Sequence, residues 1–361
     1  MSNIFDYIEQ NGHLSFEEKP FGILDALTLS GVAYLPFCDA EDECFISSGI
    51  LKDMIFQFLS NEKLLDKCIL RRDDPKFARK LMKKSRFGNL KAFEYVDIIS
   101  VDKEEQFSAI TFLLPNGNLF IAFSGTDASI VGWKENLNMS FILETAGQNS
   151  AKKYVEKLAY KFPSSKISLG GHSKGGNLAV YAGAFVPFNI QNRIEKIYNF
   201  DGPGFLEETT KKEGYLKIRP KVTTIIPRSS IVGMLLEQTD KYTVIYSKGI
   251  GTFEQHKFYN WLIENDEFIK ATQPSRSSIN THFALRALLQ DMSKEKRERF
   301  VEIIGNLAKA TKMKTIKEVI AHSASCTKQI FNEYENLSED DKKLVSKTFR
   351  SLGLKYFKGP E

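Results

Sequence analysis

Ile167-Ser168-Leu169-Gly170-Gly171-His172-Ser173-Lys174-Gly175-Gly176-Asn177-Leu178-Ala179 reads as a short apolar strand, a glycine-rich turn and the start of an apolar helix running to Ala184. Within it, Gly171 to Gly175 spells G-x-S-x-G. The bare pattern is weak, but its strand–turn–helix setting is the one a nucleophile elbow requires. A serine on so tight a turn leaves no room for side chains beside it, hence the flanking glycines. Its hydroxyl stands clear of the sheet at the C-terminal end of a strand. The next helix points its positive N-terminus at the same place, which favours developing negative charge. A plain glycine turn and a phosphate-cradling loop are the competing readings. The spacing fits neither GxGxxG nor GxxxxGK[ST].

Upstream, Phe120-Ile121-Ala122-Phe123 is a strand that ends in Ser124-Gly125-Thr126-Asp127. An acyl-transfer site needs two backbone N–H donors for its oxyanion: one from the residue after the nucleophile, here Lys174, and one from a loop after an earlier strand. Thr126 is the candidate for the second. Tyr95–Val101 and Ser108–Leu114 also read as strands, and Pro115-Asn116-Gly117 predicts a hairpin between the latter and Asn118–Phe123. Helices are expected from about Gly132 and over Gln148–Phe162 and Lys174–Ala184. Strands are expected over Lys166–Gly170, Ile194–Phe200, Val222–Ile226 and Tyr242–Tyr246. Such alternation implies an α/β fold, a mostly parallel sheet with helices on both faces.

Three motifs together resemble the class 3 lipases: Phe123-Ser124-Gly125-Thr126, then Gly132-Trp133-Lys134-Glu135-Asn136-Leu137, then Gly171-His172-Ser173-Lys174-Gly175-Gly176. The resemblance covers about residues 93–260. With Phe21 to Ser30, Asn199-Phe200-Asp201-Gly202-Pro203-Gly204 and Ser230-Ile231-Val232-Gly233-Met234-Leu235, the chain resembles a bacterial family of lipase-like α/β hydrolases. That implies an α/β-hydrolase-like fold and a serine-hydrolase site, without a substrate. Two departures stand out: Ser124 replaces the lipases' arginine, and Lys174 replaces their leucine. A cation next to the nucleophile either faces solvent or favours an anionic substrate group.

The order of a triad in this fold is serine, acid, histidine. Of the histidines after Ser173, His256 follows the last expected strand across Lys248-Gly249-Ile250-Gly251, where the fold delivers its base; His282 and His322 fall in a helical appendage. His172 adjoins the serine and is assigned to packing. The acid is the weak member. The loop after Val222–Ile226 reads Pro227-Arg228-Ser229-Ser230-Ile231-Val232, with Ser230 where the lipase pattern has aspartate. Asp201, at the end of the preceding strand, is the best substitute, with Asp240 second and Ser230 or a backbone carbonyl third. The expected site is therefore Ser173, His256 and Asp201 with the N–H groups of Thr126 and Lys174, acting on a small-molecule or lipid ester through an acyl-serine, without metal or cofactor. The alternative is an inactive fold retained for binding or membrane docking.

The chain has 361 residues, 42% hydrophobic and 26% charged, which excludes wholesale disorder. Its net charge of +5 is too mild to argue for nucleic acid. The basic character sits in residues 271–361, with 17 Lys/Arg against 11 Asp/Glu. Arg71 to Arg86 is the other basic run, read as a solvated helix face or, more sharply, as a contact to anionic lipid or an acidic partner. Three regions are expected: a mainly helical 1–92 packed on the core, an α/β core over 93–265, and a basic helical 266–361. Strands are expected to stop at about Asn265, followed by helices over Asn280–Met292, Lys294–Ala308, Ile316–Tyr334 and Asp340–Leu352. Cys38, Cys44, Cys68 and Cys326 lack zinc spacing and read as reduced thiols. With no secretory signal and no run of about 18 apolar residues, a cytoplasmic protein is expected.

Overall fold

The computed structural model describes residues 1–38, 47–70, 72–127, 129–237, 241–315, 318–319 and 322–358. An eight-stranded, mostly parallel sheet runs through it in sequential order. The strands are β1 (Gly49–Ile50), β2 (Lys91–Ser100), β3 (Glu105–Leu113), β4 (Leu119–Phe123), β5 (Ile167–His172), β6 (Ile194–Phe200), β7 (Val222–Pro227) and β8 (Tyr242–Ile245). From β1 to β4 neighbours pair antiparallel, with the expected hairpin joining β3 to β4. From β4 to β8 every pairing is parallel. The fold is α/β-hydrolase-like, with helices on both faces.

The helices are α1 (Ile4–Asn11), α2 (Ile23–Val32), α3 (Leu51–Leu59), α4 (Glu62–Lys67), α5 (Asp73–Met82) and α6 (Ser85–Gly88) before β2. Inside the sheet region lie α7 (Ile130–Asn138), α8 (Ala146–Lys161), α9 (Lys174–Phe185), α10 (Phe188–Gln191), α11 (Glu207–Thr210), α12 (Glu213–Ile218) and α13 (Thr252–His256). Then come α14 (Arg276–Asp291), α15 (Lys294–Ala310), α16 (Ser323–Glu335) and α17 (Glu339–Lys358).

Sequential strand order has a packing consequence. Parallel crossovers are right-handed, so crossovers all stepping one way lie on one face. Accordingly Val155 and Leu158 of α8, Leu178 and Val180 of α9 and Tyr215 and Ile218 of α12 share one core with Ile121, Leu169 and Ile197 of the sheet. The opposite face cannot be covered by crossovers. The N-terminal helices cover it: Leu24 and Leu27 of α2, Ile55 of α3 and Phe77 of α5 pack with Phe112, Phe120, Ala122 and Phe200.

That layer is pinned by buried charge. Arg86 sits bidentate on Asp25, at 2.8 and 2.7 Å, with both side chains wholly buried. Its remaining N–H groups go to the carbonyls of Leu14, Ser15 and Lys19. The basic run is thus not uniformly a solvated face. Lys80 and Lys84 pair with Glu9, Lys76 lies over the Phe5 ring, and Arg86 is interior; Arg71 lies outside the described residues.

Three expectations need correction. Strands do not end before Asn265: the two-residue β9 (Ile263–Glu264) and β10 (Glu267–Phe268) form a hairpin, too short to leave a period in the sequence. The helix expected over Ile316–Tyr334 is not continuous: residues 318–319 are helical, His322 is a turn, and a helix then runs over Ser323–Glu335, with residues 316–317 and 320–321 outside the described residues. Cys38 is disulfide-bonded, so the four cysteines are not all reduced, and the thiol argument for a cytoplasmic setting falls. Cys68 and Cys326 are buried thiols outside any disulfide, and Cys44 lies outside the described residues. Among the described residues no helix is long and apolar enough to cross a membrane.

Candidate active site

The parallel strands deliver the site at their C-terminal ends. Ser173 follows β5 directly and has φ 58° and ψ −133°, a backbone state that an L-residue with a side chain seldom adopts. Two hydrogen bonds hold it there: Ser173 N–H to Phe200 O at 2.9 Å and Gly176 N–H to Ser173 O at 2.9 Å. The glycines are obligatory. A Cβ on Gly171 would lie 2.2 Å from the Gly175 carbonyl carbon, and one on Gly175 would lie 2.1 Å from Phe123 O. The turn is thereby packed against the end of β4, which carries the Ser124–Asp127 loop.

Asp201 follows β6 and also has positive φ, 55°. Its turn is fixed by Asn199, whose Oδ1 accepts from Gly202 N–H at 2.9 Å, and by Asn177 of α9, whose amide donates to Pro203 O and Gly204 O. The carboxyl is fully buried. Oδ2 accepts from His256 Nδ1 at 2.6 Å and Oδ1 from Gly233 N–H at 2.9 Å. The Ser230 hydroxyl is a further partner. Burial pushes the Asp201 carboxyl above its ordinary value, against the pull of His256, Ser230 and the Gly233 N–H. The loop after β7 thus supports the acid without supplying one. Asp240 lies outside the described residues.

His256 ends α13, and its side chain is 17% exposed. Asp201 holds its Nδ1, which leaves Nε2 as the ring atom for proton traffic. The preceding turn is braced by Trp261 Nε1 on Gln255 O at 3.1 Å and by the Gln255 amide on Ser247 O and Gly249 O.

His172 does more than pack. Its Nε2 lies 2.8 Å from the backbone oxygen of His256 and its Nδ1 2.8 Å from the Tyr34 hydroxyl. Burial, then the nearby His256, pushes its pKa well below the ordinary histidine value, so the ring is neutral. A carbonyl only accepts, so Nε2 carries the proton and Nδ1 accepts from Tyr34. Tyr34, which follows α2 in the N-terminal layer, also presses on the loop after β4: a Cβ at Gly125 would lie 2.0 Å from its hydroxyl oxygen. One tyrosine therefore links that loop, the residue before the serine and the backbone of the histidine loop. Nothing local in the sequence signals it, since Tyr34 and His172 are 138 residues apart.

Lys174 opens α9, where N–H groups have no intrahelical partner, so its backbone donor is available to the site. Its side chain contradicts both expectations for it. It is 1% exposed and its Nζ donates to Glu135 Oε2 at 2.9 Å and to Gln106 O at 2.6 Å. Side chains of a helix tilt toward its N-terminus, here into the buried space between β3 and α7 rather than toward substrate. Thr126 follows β4, with its hydroxyl accepting from Asn136 of α7 at 2.7 Å. Ser124, at the lipases' arginine position, is buried with its N–H on Ser108 O. His282 bonds Met234 O, next to the Gly233 that holds Asp201, and His322 precedes α16. Among the described residues no group of three or more His, Cys, Asp or Glu side chains could hold a metal ion.

A family model described as Mbeg1-like matches residues 81–306. No curated protein matches the chain. Among solved structures, the chain is similar to lipase II from Rhizopus niveus, at 12% identity over 62% of this chain and 81% of that one, with a TM-score of 0.35. It is also similar to nonglycosylated LIP2 lipase of Yarrowia lipolytica, at 12% identity over 74% and 88%, TM-score 0.38. A lipase from Rhizopus microsporus var. chinensis matches at 15% identity over 63% and 75%, TM-score 0.34.

Proposed function

The chain belongs to the Mbeg1-like family, and we propose that it is a serine hydrolase that cleaves a carboxylic ester through an acyl-serine, carried by an α/β core over residues 93–265. The observation that carries the reading is the His256 Nδ1–Asp201 Oδ2 bond at 2.6 Å, beside a Ser173 held in a strained turn whose N–H bonds the residue before Asp201. The serine follows β5, the acid follows β6 and the histidine ends α13 beyond β8, the chain order of a triad in this fold.

In the mechanism, Asp201 fixes the imidazole with its proton on Nδ1, so Nε2 accepts the Ser173 hydroxyl proton as Oγ attacks the ester carbonyl. The Thr126 and Lys174 N–H groups receive the oxyanion. Collapse returns the proton from Nε2 to the departing alcohol and leaves the acyl group on Ser173. A water, deprotonated by His256, then releases the acid. Asp201 stabilises the imidazolium in both steps. Its buried, donor-rich surroundings keep its oxygens aimed rather than hydrated.

Two exposed apolar side chains favour a lipid or acyl ester. Ile250 is 96% and Phe253 71% exposed, both on the segment that leads to His256. Lys248 and Lys257 flank them, so the same surface suits an acyl chain beside an anionic interface. The deciding experiment is labelling with a fluorophosphonate probe and mass mapping on wild type, Ser173→Ala and His256→Ala. Stoichiometric labelling at Ser173 that His256→Ala abolishes is the expected result. No labelling of well-folded protein, with or without detergent or liposomes, overturns the reading and leaves a fold retained for binding.

A further inference from the structure

A cavity of about 770 Å³ lies at the upper end of β2, β3 and β4, and neither Ser173, Asp201 nor His256 lines it. Ala33, Tyr34 and Pro36 close it on one side, and Gly305 of α15 and the segment at Met313–Thr315 close it on the other. That segment is tied down by Ile130 N–H on Lys314 O at 3.0 Å and by a bridge between Ser129 and Thr315.

The inner wall sets two carboxylates, Asp97 and Asp127, beside Gln106 and the Ser108 hydroxyl, whose buried Oγ has no hydrogen-bond partner among the described residues. Asp97 and Ser108 are cross-strand neighbours on β2 and β3, as are Ile99 and Gln106. Gln106 is 1% exposed, and its side-chain oxygen Oε1 has no hydrogen-bond partner. Its amide nitrogen faces Gly125 O at 3.4 Å, so the oxygen is the orphan. Asp127 uses Oδ1 on the Ser129 N–H at 2.9 Å and on the Ser129 hydroxyl. Burial, then the charge of Asp127, pushes the Asp97 carboxyl up to about 6, with Lys67 acting against them. Four lysines also line the cavity. Lys134 is bound to Glu104, Lys309 acts on the same carboxylate, and Lys67 and Lys314 have partners of their own. The rest of the wall is apolar: Ile99, Val101, Ile130, Val131 and Met313.

We propose that this cavity binds an aliphatic amine in its ammonium form, the –NH3⁺ group meeting Asp97, Asp127 and Gln106 Oε1 and the alkyl body lying on Ile99, Val131 and Met313. An ammonium brings three donors and no acceptor, which matches two neighbouring carboxylates and the unpartnered Gln106 Oε1. Its charge offsets the crowding of two carboxylates, and each contact to a carboxylate is charge-assisted. A neutral alcohol supplies a single donor, and a carboxylate supplies none. The inference does not rest on the hydrolase reading.

The test is titration calorimetry on the full chain at neutral pH with n-hexylammonium, and with hexan-1-ol and hexanoate as neutral and anionic isosteres. Hexylammonium binds at one site per chain, hexanol binds at least about tenfold more weakly, and hexanoate does not bind. Asp97→Asn and Gln106→Leu each lower hexylammonium affinity by about tenfold or more, the loss of one good contact to the charged group. Should either variant fail to fold, the other carries the test. Ser173→Ala binds hexylammonium like wild type, which separates this outcome from any failure of the hydrolase. Absence of hexylammonium binding, equal binding of hexanoate, or unchanged affinity in a folded Asp97→Asn or Gln106→Leu overturns the proposal.

Discussion

Lys174→Met separates the two roles that one residue holds next to the serine. The side chain lies in a buried pair with Glu135, each partner 1% exposed, at 2.9 Å. Removing one partner of a buried pair costs about 3–5 kcal/mol, because the other charge stays buried. Glu135 would keep two backbone donors, Gln106 N–H at 2.9 Å and Gly147 N–H at 2.6 Å, which puts its share near the low end. Gln106 O would lose the Nζ donor at 2.6 Å, an added cost of about 1 kcal/mol. The sum, about 3–4 kcal/mol, lowers the folding constant by more than about two orders of magnitude. Adding Glu135→Gln removes the stranded charge and recovers part of the loss, so the double variant lies above the single. Urea unfolding with linear extrapolation measures all three. The backbone N–H of residue 174 is untouched, so Ser173 labelling per folded molecule stays within about twofold of wild type. Two results refute this reasoning. A Lys174→Met protein within about 1 kcal/mol of wild type would mean that the pair is not buried as described. Labelling that collapses while stability holds would mean that the ammonium faces substrate after all.

Asp201→Asn leaves the shape but loses the acceptor that fixes the His256 tautomer, so ester turnover falls by about 10³–10⁴ while the fold persists by circular dichroism. Tyr34→Phe strands the Nδ1 of a neutral, buried His172, costing about 1–3 kcal/mol in urea unfolding, and lowers kcat more than it raises KM because the histidine and oxyanion loops lose their shared anchor. Asp97 has its carboxyl raised from 3.8 to about 6, so its ionised form opposes folding. Stability is therefore lowest above pH 6 and recovers as the pH falls from 6 toward 4, and Asp97→Asn is more stable than wild type by about 2–3 kcal/mol at high pH, a gap that closes in acid.

What was readable in the sequence is what is short-range. The Gly171–Gly175 turn, the Pro115-Asn116-Gly117 hairpin and the parallel strands after it all come from local period and turn chemistry, and each stands in the structure within a few residues of its expected place. Asp201 and His256 could be nominated because chain order in this fold constrains where acid and base arise, and the structure brings their side chains into contact. The direction of Lys174 could not be read, because it depends on Glu135, 39 residues away, and on a helix tilt that a motif does not encode. Ser230 was weighed as a partner for His256; its hydroxyl instead meets Asp201, one link further back. The bridge at Cys38 is not legible, because cysteine spacing alone does not give disulfide pairing.

The N-terminal layer is more than a cover. With crossover helices confined to one face by their common hand, the other face of β4, β5 and β6 would be bare without α2 and its neighbours. Once a helix lies there, its C-terminal end falls beside the strand ends that carry the site, and Tyr34 sits at that end. The requirement for a second layer and the bracing of the histidine loop thus have one structural solution. The wall of the cavity beside β2 and β3 also includes Tyr34. Gln106 touches that cavity through its oxygen and the Gly125 carbonyl through its nitrogen, so a ligand there would press on the loop that holds Thr126. The covering of the bare face therefore places the cavity and the Ser124–Asp127 loop in one connected polar network.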